Sequence, residues 1–388
     1  MLHSHVNSSL ALKKGCKING HPYGREYSTD TYGDERFSET LAYRSSPVWA
    51  DHRGGISMVN PLLPSEFWGI SIGVYLFLGG LAGGAYVSGA VADLLSKRHP
   101  DRQQSYFQTA RWSMVIAVLS ISVGGLLLLF HLGEPLNVIK FWLFTNLQSW
   151  MTIGIWVIVL FTVLAALQAL WLGFGRENGF PVNIGPIDTL AMVTRPSEGI
   201  RRAITAVGIV VGVLLAVYTA LLLSATGNVI PLWNETWLPL LFLTSSLSIG
   251  IAAVFGVTVV TQGFLDTGVQ EFSLADDVVI LAELGTLAML MFTLQNGGPT
   301  AVETFQYIMN DGWILFWVGV VGVGMVLPLA LSGVLLGIEG RCDLQKNTFM
   351  CRWATSICAL KFGLVVVGGL MLRLMIILGA LNVPIIGA

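Results

Sequence analysis

The 388-residue sequence is 54% hydrophobic and only 11% charged, where a soluble domain carries about 25% charged residues. Its net charge of −2, with no basic patch, gives no reason to expect a nucleic acid partner. An ordinary soluble domain is thereby excluded, and the composition points to an all-α integral membrane protein, whose helices need roughly 20 apolar residues to cross the hydrocarbon core.

Residues 1–65 form a polar N-terminal extension rich in Ser, Gly, Tyr and Arg. It lacks the uninterrupted apolar stretch of a signal peptide and is too poor in aliphatics to build a core. Tyr23, Tyr27, Tyr32, Phe37, Tyr43 and Trp49 are spread along it as anchors that a solvated tail usually lacks. The expectation is an extension that wraps over a partner subunit. Apolar runs then predict eight transmembrane helices near 68–95, 112–131, 151–174, 203–224, 236–261, 277–295, 312–337 and 354–381. The expected grouping is two consecutive four-helix bundles, residues 66–225 and residues 226–388.

The first span carries Gly79, Gly80, Gly83 and Gly84, two overlapping small-xxx-small steps. Such steps let a neighbouring helix approach closely, and they also clear room for a flat ligand. Tyr75 stands nine residues after Glu66, about 13 Å along the helix axis. Span 2 ends at His131, followed by Leu132-Gly133-Glu134-Pro135, and Tyr218 lies six residues before Ser224 near the end of span 4. Alternating spans bring all three to a similar level at one membrane surface. Two phenols, an imidazole and a carboxylate there suit hydrogen bonds to the carbonyls of a quinone and the passage of its protons. Each phenol alone reads equally as part of an interfacial aromatic belt.

Ionisable side chains inside spans require a reason, because each costs at least about 2.5–3.5 kcal/mol at the helix centre. Glu283 in span 6 and Lys361 in span 8 fall at comparable depths, which predicts an ion pair or part of a proton route. Arg373 is expected to approach the outer leaflet and snorkel to its surface. Lys97, Arg98, Arg102, Arg111, Arg176, Arg195, Arg201, Arg202, Arg341, Lys346 and Arg352 border loops 1–2, 3–4 and 7–8, while Lys140 stands alone in the opposite loops 2–3, 4–5 and 6–7. That asymmetry predicts a protein of the cytoplasmic (inner) membrane with both termini periplasmic.

Cys16, Cys342, Cys351 and Cys358 are scattered, without the close spacing of iron–sulfur ligands. His131 is the one histidine beside a span, so the histidine pairs of an intramembrane haem are missing. No metal site, haem or cluster is therefore expected in this chain. Glu66-Phe67-Trp68 with Tyr75-Leu76-Phe77-Leu78-Gly79-Gly80-Leu81-Ala82-Gly83-Gly84 resembles the first-helix signature of the NrfD/polysulfide-reductase membrane-subunit family. His131-Leu132-Gly133-Glu134-Pro135 stands where that family often has Asp-Leu-Gly-Arg-Pro. Tyr218-Thr219-Ala220-Leu221-Leu222-Leu223-Ser224-Ala225 is similar to its tyrosine motif. Pro231-Leu232-Trp233-Asn234 and Leu238-Pro239-Leu240-Leu241-Phe242-Leu243 are similar to the family's next segments.

The resemblance implies a quinone-reactive membrane anchor of a respiratory oxidoreductase. Such a subunit exchanges electrons between menaquinone or ubiquinone and an attached iron–sulfur subunit, commonly completed by a molybdopterin catalytic subunit. It puts Tyr75 and Tyr218 at the quinone; the residues themselves add His131, with Gly79, Gly80 and Gly83, to that site and offer Glu134, Glu283 and Lys361 for proton transfer. His131 with Glu134 departs from the family's acidic–basic pair. The competing reading is a polytopic transporter or proton channel, which calls for paired broken helices in corresponding halves. No convincing inverted repeat joins spans 1–4 to spans 5–8.

Overall fold

The computed structural model describes residues 70–381 apart from 97, 99, 132–148, 175–179, 181–184, 226–229, 263–268 and 340–347. The expected N-terminal extension lies outside the described residues. The helices are α1 (Ile70–Leu95), α2 (Gln103–His131), α3 (Trp150–Gly173), α4 (Gly185–Thr194), α5 (Glu198–Ser224), α6 (Trp237–Gln262) and α7 (Val269–Gln295). They are followed by α8 (Pro299–Asn310), a π-helical run Ile314–Val326 that continues into α9 (Leu327–Glu339), and α10 (Thr348–Leu381). Among the described residues there is no strand. Among the described residues eight helices are long and apolar enough to cross a membrane, as expected: α1, α2, α3, α5, α6, α7, the π-helical run with α9, and α10.

Several spans begin earlier than hydropathy predicts. Helix α2 starts at Gln103 rather than near 112, because polar first turns keep helical backbone bonds after the chain has left the apolar run. The short helices α4 and α8 are additions. Pro299 opens α8, where its missing N–H would be unpaired anyway. Asn234 starts α6 by accepting the backbone N–H groups of Thr236 and Trp237, each at 3.0 Å. The indole of Trp233 donates to the Ile376 carbonyl at 3.2 Å and pins this turn to α10.

Helix α1 is the centre of the assembly. In its most apolar stretch 72% of residues are buried inside the protein, against 22% for α3, so α1 is enclosed by its neighbours while most of α3 lies at the periphery. It packs on α2, α5, α6 and α10. One apolar core joins α1, α2, α3 and α5 through Ala82, Tyr86, Met114, Phe161 and Leu215. A larger one runs from Tyr75 and Leu76 of α1 through Phe242 and Phe255 of α6 to Phe362 and Met375 of α10.

Small residues set the closest approaches, since lipid tails supply no hydrophobic drive between helices. A Cβ on Gly84 would stand 1.8 Å from the Ser246 carbonyl oxygen, and one on Gly250 would stand 2.1 Å from the Gly84 carbonyl carbon. Helices α1 and α6 therefore meet backbone to backbone. Gly324 in the π-helical run and Gly368 in α10 do the same, with added Cβ atoms 2.8 and 2.0 Å from the opposing Cα.

Candidate functional site

Helices α1 and α5 are antiparallel, and a buried ion pair fixes their register at one end. Arg201 donates to both oxygens of Asp93, at 2.7 and 3.0 Å, and to Glu198 at 3.1 Å. Asp93 near the end of α1 thus meets Arg201 near the start of α5. The opposite ends of the same two helices carry Tyr75 and Tyr218.

Both tyrosines are buried, 4% and 5% exposed, and close enough for their phenols to interact electrostatically. No hydrogen bond joins either phenol to another described residue, while the hydroxyl of Tyr86, deeper in α1, is buried without a partner among them. Tyr218 is held by a glycine of a third helix. A Cβ on Gly154 of α3 would lie 1.7 Å from the Tyr218 Cζ and 1.8 Å from its hydroxyl oxygen. The ring tip occupies the place of the missing side chain. Tyr75 leans on α2, where a Cβ on Gly124 would come within 3.7 Å of its ring. Gly79 faces Thr219, the neighbour of Tyr218, at an ordinary contact of 3.5 Å.

The structure thus gathers Tyr75, Tyr218 and Gly79 at one end of α1 and α5, and adds Gly154. Sequence reasoning passes over Gly154, because a lone glycine in an apolar helix carries no sign of the ring lying against it. Gly80 and Gly83 are placed differently from a ligand-clearing role. A Cβ at Gly80 would meet Ser246 at 2.6 Å and Arg373 at 3.1 Å, and at Gly83 the Gly212 carbonyl oxygen at 2.6 Å. Neighbouring helices fill both spaces. His131 ends α2, the neighbour of α1, but its side chain and Glu134 lie outside the described residues.

The buried charges pair differently from the expectation drawn from depth. Lys361 does not take Glu283. Its ammonium donates to Asp277 at 2.7 Å, to the Ser273 hydroxyl at 2.7 Å and carbonyl at 3.2 Å, and to Ser332 at 3.4 Å. It stands 3.7 Å from Asp276. Glu283 instead shares the Ser245 hydroxyl with Arg373, which donates to that oxygen at 2.5 Å. Arg373 also donates to Ser246 at 3.0 Å and to the Phe242 carbonyl at 3.3 Å, and its guanidinium lies 4.4 Å over the Phe242 ring. It is 0% exposed, so it does not snorkel. A serine pair, a backbone carbonyl, an aromatic face and a carboxylate hold it inside the protein.

Among the described residues no three His, Cys, Asp or Glu side chains gather as a metal site. The phenols at one end and the paired charges deeper in supply hydrogen-bond donors and acceptors.

Comparison with known proteins places the chain. The family model described as polysulphide reductase, NrfD, matches residues 57–384. The chain belongs to the NrfD family. It is 31% identical over 286 residues to a polysulfide reductase chain from Wolinella succinogenes, covering 73% of this chain and 86% of that one. It is 28% identical over 291 residues to a NrfD homolog of Haemophilus influenzae, covering 73% and 88%. With the NrfD protein of Escherichia coli the identity is 27% over 279 residues, covering 69% and 85%. The first-helix and tyrosine motifs therefore belong to an established membrane-protein family, as their resemblance implies.

Proposed function

We propose that this NrfD-family protein is the quinone-reactive membrane subunit of a respiratory oxidoreductase complex. It exchanges electrons between menaquinone or ubiquinone in the bilayer and an iron–sulfur subunit attached to it, with a molybdopterin subunit carrying the terminal chemistry. The observation that carries the reading is the pairing of Tyr75 and Tyr218, two buried phenols that make no hydrogen bond to another described residue. Each phenol O–H is a hydrogen-bond donor, so a ligand bearing two carbonyl acceptors is the natural complement of the pair.

When a quinone takes two electrons it also takes two protons, and quinol oxidation releases both. Tyr218 donates a hydrogen bond to one carbonyl oxygen, Tyr75 or His131 serves the other, and Glu134 exchanges protons with the aqueous side. The quinone itself supplies the redox chemistry, and the chain orients it and moves its protons. The Lys and Arg residues bordering loops 1–2, 3–4 and 7–8 favour an inner-membrane orientation with the Tyr75 end and both termini periplasmic. The first four spans, within residues 66–225, form the quinone-binding group, and residues 226–388 form the second group of four. The periplasmic loops and residues 1–65 are then the docking face for the iron–sulfur partner.

Tyr218→Phe tests the site. Removing one positioned hydrogen bond and one proton donor lowers quinone-linked turnover by roughly 10- to 1000-fold. Electron transfer between the partner's clusters and a soluble dye survives. Wild-type quinone turnover in the variant would reduce Tyr218 to an interfacial belt residue and defeat the reading.

A further inference from the structure

We propose that Asp276 holds an exchangeable proton in a loading site built by α6, α7, α9 and α10, and that this proton moves when the Tyr75–Tyr218 site changes redox state. The second half of the statement rests on the proposed function above; the first does not.

Among the described residues, the charges buried between these helices do not balance. Asp276, Asp277 and Glu283 on α7 face Lys361 and Arg373 on α10, three carboxylates against two bases. Asp276, Lys361 and Arg373 are each 0% exposed and Glu283 4%. An uncompensated charge is expensive at membrane depth, and a buried carboxyl sheds its charge by taking a proton.

The geometry says which carboxyl it is. Asp277 receives the short Lys361 bond at 2.7 Å and also a hydrogen bond from Ser332. Glu283 has Ser245 and the Arg373 charge. Asp276 accepts from Ser248 on one oxygen, Oδ1, at 2.9 Å, while its Oδ2 makes no hydrogen bond and stands 3.7 Å from the Lys361 ammonium. That spare, fully buried oxygen is where the proton sits. Sodium is the poorer occupant, since an ammonium already lies against the same oxygen and repels a second cation.

The site is joined to α1. Ser245 and Ser248 lie three residues apart on α6, one turn along the same face, and bond to Glu283 and Asp276 respectively. Asp276 and Glu283 interact through space and are seven residues apart, two turns on one face of α7. Arg373 lies against Gly80, five residues along α1 from Tyr75. A change of charge at the phenol end is thereby felt by Arg373 and Glu283, and through them by Asp276. The step is a proton transfer alone: the Oδ2–H bond of Asp276 breaks, the bonding electrons stay as carboxylate, and the proton leaves past Asp277, the more exposed of the two. No electron passes through this site; quinol supplies those of the redox reaction at the other.

Infrared difference spectroscopy on the assembled complex in lipid tests the proposal. A quinol-induced carboxylic-acid carbonyl band is expected, shifted in heavy water, lost in Asp276→Asn and kept in Glu283→Gln. A band unaltered by Asp276→Asn, or no such band, overturns the loading site. Loss of the band on adding sodium chloride but not choline chloride at fixed pH assigns the site to sodium and also overturns it. Should Asp276→Asn fail to insert, Ser248→Ala keeps the carboxyl but removes the donor that favours its ionised form. The acid band must then persist to higher pH than in the wild type, and an unchanged titration refutes the assignment. In proteoliposomes Asp276→Asn lowers the protons moved per electron while quinol oxidation continues. An acid band that titrates but stays silent during turnover overturns the redox link. Failure of the quinone reading looks different: Tyr218→Phe then turns over normally whatever Asp276→Asn does.

Discussion

Gly154→Ala perturbs the site while leaving Tyr218 in place. The added methyl would stand 1.7 Å from the phenol Cζ, and ordinary contact begins at 3.4 Å, so the ring tip must retreat by about 1.7 Å. The ring cannot stay, and a displacement of about 1 Å at a positioned group costs on the order of 100-fold in rate. The methyl also overpacks the α3–α5 contact, at about 1–3 kcal/mol. Quinone-linked turnover of the assembled complex should therefore fall by roughly 100-fold, comparable with Tyr218→Phe, while dye-linked electron transfer continues. Combining the two substitutions should cost far less than their product, because both remove the same hydrogen bond. The assay is quinol oxidation or quinone reduction in membranes, normalised to the amount of complex recovered. Wild-type turnover in a fully assembled Gly154→Ala complex would refute the claim that the Tyr218 hydroxyl acts from this position.

Asp93→Ala strips the main partner from a buried Arg201, a loss of about 3–5 kcal/mol offset in part by Glu198. A clear drop in Tm of the detergent-solubilised chain would show it. Gly84→Ala should destabilise by about 1–3 kcal/mol or more, since the methyl meets backbone that cannot yield. Gly125→Ala, with nothing within 4 Å of its Cβ, should melt as the wild type does, and equal melting of the two would dismiss the α1–α6 seam. Deleting residues 1–50 should release the iron–sulfur partner on purification while the membrane subunit still inserts. Unchanged co-purification would rule out a wrapping role for the extension.

Hydropathy makes the eight spans legible because a bilayer imposes length and apolarity on every crossing helix. Tyr75 and Tyr218 are legible together because antiparallel neighbours put residues of equal depth side by side. Depth alone does not choose partners, which is why Glu283 and Lys361 look paired and are not. The apolar run of span 6 begins near 277, so Asp276 falls outside it, yet helix α7 reaches back to Val269 and turns Ser273, Asp276 and Asp277 toward α10. Arg373 looks like a snorkelling residue only until Ser245, Ser246 and Glu283 are seen around it. Gly80 and Gly83 satisfy two rules equally well as sequence, and only the opposing helices decide between them. Gly154 has no signature, since its meaning is the shape of a ring contributed from sixty-four residues away.

The central position of α1 has a consequence for how this chain is made. Helix α1 is synthesised before every other described span, yet its face closes on α6 and on α10, the latest of them to be made. The Gly80 face that meets Arg373 must wait in the bilayer while more than two hundred further residues are translated. Helix α10 brings Lys361 and Arg373, whose counter-charges are already waiting on α7. Closure of this core is therefore gated by α10, and a chain stalled before it leaves three buried acids without the bases that face them. Quality control in the membrane has a simple cue to read in this protein: whether α10 has arrived.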